Sequence, residues 1–326
     1  MLSIYRAFLP MVAMTGACSL VSVSLGDGPS ESSDATANGS DGSTTDASAE
    51  ACASSTDPIC LPFGPPKIVA ELSSGEKDGY DENPTLTANM LEIYFSSTRD
   101  GGPGHGDVWR SVRDSVDASW SPPSLVQSVS SSSRETSPAV TFDGLSLYVA
   151  SDRDGGQGGY DIWMASRSNV SSDWSQPAPV IALNSAGDEI PRPSGEHSLA
   201  MPMSRRQTSN DSYQIYMAYR ASSTSNWETP ELLSWVDTAN LDVDGFLSDD
   251  ALFFSFASDR LGNTSKQNLF MAFRTDTQSS FGTPEPMPSV NLDGYDSADP
   301  WLSQDLHVIY FSSDRSGVSR IYQATR

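Results

Sequence analysis

The stretch SDRDGGQGGYDIW, Ser151 to Trp163, has the ingredients of a ligand loop. Asp152, Asp154 and Asp161 are acids, Arg153 sits among them, and the glycines would let a backbone approach closely. The rest of the chain shows what it is, because the stretch recurs. Arginines close β-rich runs in YFSSTR, YVASDR, MPMSRR, FSFASDR and YFSSDR, at Arg99, Arg153, Arg206, Arg260 and Arg315, with spacings of 53 to 55 residues. Three further series keep the same period: Trp109, Trp163, Tyr216, Phe270 and Tyr322; Trp120, Trp174, Trp227 and Phe281; and Pro123, Pro177, Pro230 and Pro284. Four markers in step mean a repeat protein.

Each unit reads as four short strands. In the second, SPAVT is ended by the turn FDG, LSLYVAS alternates, YDIWMAS follows the glycine-rich loop, and APVIALN comes last. About 54 residues and four strands is the size of a propeller blade. The final unit stops after its third strand, RIYQATR, and PPKIVAELSS at Pro65 to Ser74 matches PPSLVQSVSS at Pro122 to Ser131. The sequence therefore predicts an all-β, five-bladed propeller of four-stranded antiparallel blades over 65–326. An N-terminal strand joins the last blade and leaves no open edge.

The pattern P-x-x-S/T-x-D-G-x-x-L-Y-F-x-S-D-R-x-G-G-x-G-x-x-D-I-W resembles the TolB-type, WD-like propeller repeat of bacterial envelope proteins. It is clear in the units of Arg99, Arg153 and Arg315, and weakest in that of Arg206. The resemblance implies a non-catalytic binding protein of the cell envelope, presenting loops around a central channel to a protein or envelope polymer. TolB carries an additional N-terminal α/β domain, which this chain replaces with a different kind of segment, so the role of TolB itself is not implied.

That segment begins with MLSIYRAFLPMVAMTGACSL. Arg6, an apolar run too short to span a bilayer and the small residues before Cys18 form a targeting signal over 1–17. TGAC resembles a bacterial lipobox, although Thr15 stands where Leu is usual. It implies a lipidated Cys18 and an outer-membrane lipoprotein facing periplasm or exterior. Residues 18–64 are rich in Ser, Asp and Ala and read as a flexible tether. Cys52 and Cys60, the other two cysteines, can close a small disulfide loop in an oxidising compartment.

A net charge of −23 argues against a nucleic-acid partner, since phosphates attract clustered Lys and Arg. Membrane contact is expected through the lipid anchor alone, and a monomer is expected. In the loops leading into the first strands, acids recur at Asp81, Glu135, Asp188, Asp242 and Asp296, the last with a one-residue slip. Simple hairpin register sets Asp81 opposite Thr98 or Arg99, and Glu135 opposite Asp152 or Arg153. Each blade is thus expected to clamp an acid to an arginine. Asp107 and Asp161 read as caps of the glycine loops.

Other uses of these residues are weaker. A calcium loop would draw on Asp152, Asp154 and Asp161, but only two units carry such acids and the twelve-position pattern is missing; no cofactor is otherwise expected. The glycosidases built on five blades use carboxylates at the channel mouth. Here no pair stands apart from the repeat, and Glu196 and Asp244 are expected on opposite faces. A G-x-S-x-G elbow is missing. The third unit departs most: IPRPSGEHSLAMPMSRRQ puts Pro202 within its second strand, where a bulge or break is expected. It also gathers Arg192, Arg205 and Arg206 into a candidate contact patch for a protein or anionic glycan.

Overall fold

The computed structural model describes residues 61–77, 79–192, 199–262, 266–287 and 289–326. Cys18, Cys52, Cys60 and Glu196 lie outside the described residues, as do the signal and most of the tether.

Alternating apolar and small residues make the strands, and turns such as FDG separate them. The first blade is β2 (Asp81–Leu86), β3 (Glu92–Ser97), β4 (Asp107–Val112) and β5 (Ser124–Leu125). The second is β6 (Glu135–Val140), β7 (Ser146–Ser151), β8 (Asp161–Ser166) and β9 (Ala178–Pro179). The third is β10 (Asp188–Pro191), β11 (Ala200–Arg206), β12 (Gln214–Tyr219) and β13 (Glu231–Leu232). The fourth is β14 (Asp242–Leu247), β15 (Phe253–Ser258), β16 (Asn268–Phe273) and β17 (Glu285–Pro286). In the fifth, β18 (Ser297–Leu302), β19 (Val308–Ser313) and β20 (Arg320–Thr325) are completed by β1 (Lys67–Ile68), where Lys67 pairs with Gln323 and Ile68 with Tyr322. The result is a five-bladed propeller closed by its N-terminal strand. Outermost strands are two residues long, shorter than the sequence pattern implies.

The core lies between blades. Tyr94 of the first blade meets Trp174 of the second edge-on at 5.9 Å, and Tyr148 meets Trp227 of the third at 6.4 Å. Burying each such ring contributes about 1.5–3 kcal/mol. Their outer faces are covered by a second arginine series that the sequence reading missed. Arg113, Arg167, Arg220 and Arg274 lie over Trp120, Trp174, Trp227 and Phe281 at 4.3–4.6 Å. Each arginine stands seven residues before its ring, a spacing visible in the chain. At the closure Arg326 stacks on Phe63 at 4.4 Å, reproducing the motif with residues from the two sides of the seam.

The innermost strands carry a bulge. Register shifts between Glu82 and Thr85, Thr136 and Ala139, Val243 and Phe246, and Ala298 and Trp301. At each shift one residue is left-handed: Asn83 (φ 57°), Ser137 (49°), Asp244 (61°) and Asp299 (57°). The extra residue moves the rim register by one, so Asp81 faces Ser97 and Glu135 faces Ser151 rather than the residues that a regular hairpin would offer.

The third blade has Pro191 at this position, and proline cannot adopt positive φ. Its β10 pairs with β11 without a shift and stops after four residues. The break expected at Pro202 is therefore displaced. Pro202 pairs with Met217 in unbroken register with β12. Its carbonyl accepts from Arg192 N at 3.1 Å, so its donor-less nitrogen faces β10, which has ended there.

Candidate functional site

The channel face is built from the rim inward. Asp81 is fully buried and its Oδ1 takes Arg99 Nη2 and Ser97 Oγ, both at 2.6 Å, while Oδ2 accepts from Ser74 N at 2.8 Å. Arg99 also donates to Leu72 O and lies over Trp109 at 5.1 Å. Glu135 and Arg153 repeat the arrangement at 2.9 Å, and Asp242 and Arg260 at 2.5 Å.

Two blades differ from the expected clamps. In the third, Glu189 and Arg205 hold the clamp position: they face each other in register, approach to 3.1 Å, and Arg205 donates to Leu183 O and covers Tyr216. Burial, ahead of the opposing hydrogen bonds from Ser185, raises the Glu189 carboxyl above its ordinary range. Asp188 and Arg206 form a separate, more exposed pair beside Tyr213, because β10 lacks the bulge that sets the register elsewhere. In the fifth blade the clamp acid is replaced by Ser297, whose Oγ accepts from Arg315 Nη2 at 3.1 Å. Asp296 is one residue outside it and pairs with Lys266 at 2.7 Å, which also holds Asp314 at 2.7 Å. Burial lowers the Arg315 pKa.

The opening loop turns on Asp161. Its Oδ2 accepts from Gln157 N and Gly158 N at 2.8 and 3.0 Å, and a Cβ on Gly156 would stand 2.0 Å from that oxygen. Glycine is required by close approach. Asp107 accepts from Gly104 N at 3.2 Å in the first blade. Asp152 is turned elsewhere, accepting from Arg134 N. Among the described residues, no group of three or more His, Cys, Asp or Glu side chains is placed to hold a metal ion.

Below the rim the bulge residues meet on the axis. Asn83 donates Nδ2 to Asp299 Oδ1 at 2.5 Å and accepts from Ser96 Oγ at 2.5 Å. Asp299 N donates to Asp244 Oδ2 at 3.3 Å, and Asp244 N to Ser204 Oγ at 3.0 Å. Arg192 occupies the sequence position that is Pro84, Pro138, Gly245 and Pro300 in the other blades. Its Nη2 bridges both acids, reaching Asp299 Oδ1 at 2.6 Å and Asp244 Oδ1 closer still. Burial, partly countered by Arg192, pushes the Asp244 carboxyl up to about 7. Asp299 is held below its ordinary range against burial, by Arg192 and the Ser312 hydroxyl.

Above this floor lies a cavity of about 490 Å³ lined by Glu82, Arg134, Tyr160, Tyr213, Gln267 and Asp314 among others, with Ile190, Val243 and Ala298 as its apolar wall. Burial, then the charge of Asp299, pushes Glu82 up to about 7, against a hydrogen bond from Ser319 and the nearby Arg134. Neither Glu82 nor Asp299 stood out in the repeat, and Asp244 shares the cavity with both. The contact patch expected from Arg192, Arg205 and Arg206 does not form one surface. Arg192 is only 4% exposed and on the axis, Arg205 is spent on its clamp, and Arg206 alone reaches the rim.

No protein-family model matches the chain, and no curated protein does. Similar solved structures include TolB from Acinetobacter baumannii, with 13% identity and a TM-score of 0.46, over 76% of this chain and 54% of that one. This chain thus spans about half the length of that TolB. The catalytic domain of a GH62 α-L-arabinofuranosidase from Coprinopsis cinerea has 10% identity and a TM-score of 0.51, over 81% and 96% of the two chains. An α-L-arabinofuranosidase from Lactobacillus brevis has 12% identity and a TM-score of 0.51, over 77% and 91%. At these identities the likeness is one of fold alone: the two arabinofuranosidases, each at a TM-score of 0.51, share the propeller architecture.

Proposed function

We propose that this protein is a non-catalytic binding protein of the cell envelope, with the channel mouth as its ligand site. The observation that carries this is Arg192. One guanidinium nitrogen holds both axial carboxylates, Asp244 and Asp299, so they lie closer together than the about 6.5–9.5 Å of an inverting glycosidase, and both are ion-paired rather than free to act as nucleophile or acid. Asp244 also accepts from the Asp299 amide. Although both line the cavity, these acids are tied to each other, to Arg192 and to the strand bulges.

A hydrolase is the second reading, favoured by Glu82, a carboxyl lifted to about 7 in the same cavity and so suited to proton donation. A panel of aryl glycosides and polysaccharides separates the two. The binding reading expects retention of an envelope polymer or protein without turnover. Hydrolysis that Glu82→Gln abolishes would establish the enzyme.

The envelope location rests on the lipobox-like TGAC ahead of Ser19. No helix among the described residues is long and apolar enough to cross a membrane. Cys18 carries the lipid, and Cys18→Ser should release the protein into the soluble fraction. Unchanged membrane association would overturn the anchor.

A further inference from the structure

In each blade the residue just before the third strand is pinned at the channel mouth by its carbonyl. Gly106 O accepts from Glu135 N at 2.8 Å, Tyr160 O from Glu189 N at 2.6 Å and Tyr213 O from Asp242 N at 3.1 Å. Gln267 O accepts from Ser297 N at 2.9 Å and Ser319 O from Asp81 N at 3.1 Å. Every bond runs from one blade to the clamp position of the next, so the five residues form a backbone girdle around the axis. The fold fixes these backbones and leaves the side chains free to differ, which is where a rigid scaffold carries specificity. All but Gly106 line the cavity, and those four are partly exposed.

The girdle is aromatic on one side only. Tyr160 and Tyr213 belong to neighbouring blades, and Asp188 holds both: Oδ1 accepts from Tyr160 N at 2.8 Å and Oδ2 from Tyr213 Oη at 3.2 Å. Arg206, paired with Asp188, lies over the Tyr213 ring at 4.7 Å. This pair is surplus to the third blade's clamp, which Glu189 and Arg205 already make, and it is spent on the tyrosines instead. The fifth blade stands across the ring from the second and third. It brings Ser319 and Asp314 to the cavity, and Ser319 hydrogen-bonds Glu82 of the first blade. Carboxylate and hydroxyl oxygens on that side accept from hydroxyl donors. Among the described residues, the lining sets five carboxyl groups against the guanidinium groups of Arg134 and Arg192, which disfavours an anionic occupant. A volume of about 490 Å³ is in the range of small-ligand sites.

We propose that the channel mouth binds an uncharged sugar, with Tyr160 and Tyr213 as its aromatic contacts and Ser319, Asp314 and Glu82 as partners for its hydroxyl groups. A sugar ring offers carbon-bound hydrogens, slightly positive, to the tyrosine π-systems, and hydroxyl donors to the acceptors across the mouth. A free oligosaccharide and a chain within a polymer share this chemistry. The assignment rests on the reading of the mouth as a binding site, and it names the ligand class for that site.

A printed array of uncharged, uronate-bearing and sulfated glycans, probed with the full chain, tests it. At least one uncharged glycan should bind, at least about tenfold more tightly than the charged ones. Calorimetry with that glycan free in solution, beside co-sedimentation with the polymer that contains it, separates the two sources. Tyr160→Ala and Tyr213→Ala should each weaken binding about tenfold. Tyr213→Leu, which keeps most of the volume, serves where an alanine variant fails to fold. Tyr219→Ala, exposed at the far end of β12, should change nothing. Three results would overturn the assignment: silence of every uncharged glycan, charged glycans bound as tightly as uncharged ones, or tyrosine variants that bind like the parent. A peptide captured at the mouth instead would also overturn it and leave the binding reading standing. Turnover of the bound glycan would overturn the binding reading and keep the sugar, so the two failures are distinct.

Discussion

Arg205 reaches Glu189 from a backbone position that serine holds in every other blade: Ser97, Ser151, Ser258 and Ser313. The guanidinium nevertheless arrives at the same place, over the third-strand ring and against the carbonyl of Leu183, which corresponds to Leu72, Val129, Val236 and Val290. The site is defined by ring, carbonyl and buried acid, and the chain can supply the arginine from either of two residues.

The clamps should therefore act as buried ion pairs. Asp81→Ala or Arg99→Ala should each cost about 3–5 kcal/mol, because one partner is left charged in a desolvated place. In a double-mutant cycle the two losses should overlap by more than about 1 kcal/mol. Arg206→Ala, whose pair with Asp188 is partly exposed, should cost less than about 1 kcal/mol. Denaturant melts of the four variants measure this, and additive losses at Asp81 and Arg99 would refute contact.

The fifth blade offers the converse experiment. Ser297 fills the acid position and Arg315 lacks a carboxylate there. Ser297→Asp should raise the melting temperature by creating the missing pair, whereas Asp296→Asn should change stability by less than about 1 kcal/mol. A fall in melting temperature with Ser297→Asp would show that the blade has closed around the smaller residue.

Stability should depend on pH through Glu82. Its folded pKa of about 7 lies above the value of an exposed glutamate near 4.3, so the folded state holds a proton that the unfolded chain has released. This contribution is complete below about pH 4 and is lost as pH rises through 7. The difference in unfolding free energy between Glu82→Gln and the parent should therefore grow by about 1–3 kcal/mol in favour of the variant from pH 4 to pH 8. A constant difference would place Glu82 in water.

Ring closure predicts a large asymmetry between two deletions. Removing Pro66 to Ser73 takes away β1 and bares the edge of β20, and should cause aggregation or a steep loss of stability. Removing Asp27 to Asp46 should cause neither. Light scattering and thermal melts of both variants measure this, and equal tolerance would show that β20 does not need its partner.

Blade number, closure and the arginines Arg99, Arg153, Arg260 and Arg315 were legible because they repeat, whereas in the third blade the period picks Arg206 although Arg205 holds the clamp. The bulge was not legible. Asn83, Ser137, Asp244 and Asp299 put three residue types at one left-handed position, and only the ladder shows that they correspond. For that reason hairpin counting put Asp81 one residue away from Ser97. The cavity was hidden for a related reason. Glu82 aligns with Thr136, Ile190, Val243 and Ala298, and Arg192 with three prolines and a glycine, so the site consists of exceptions to the pattern that reveals the fold.

A ring of five alike blades would offer a small ligand five alike orientations about the axis. Arg192 and Glu82 end that degeneracy, since only one blade lacks the bulge and only one has an acid at the position held by Thr136, Ile190, Val243 and Ala298 in the others. An asymmetric occupant can then satisfy the cavity in one rotational setting out of five, a distinction comparable to RT ln 5, about 1 kcal/mol, before any contact energy is counted. The third blade thus serves the channel as a key-way: by departing from the fivefold pattern, it gives a symmetric scaffold a direction.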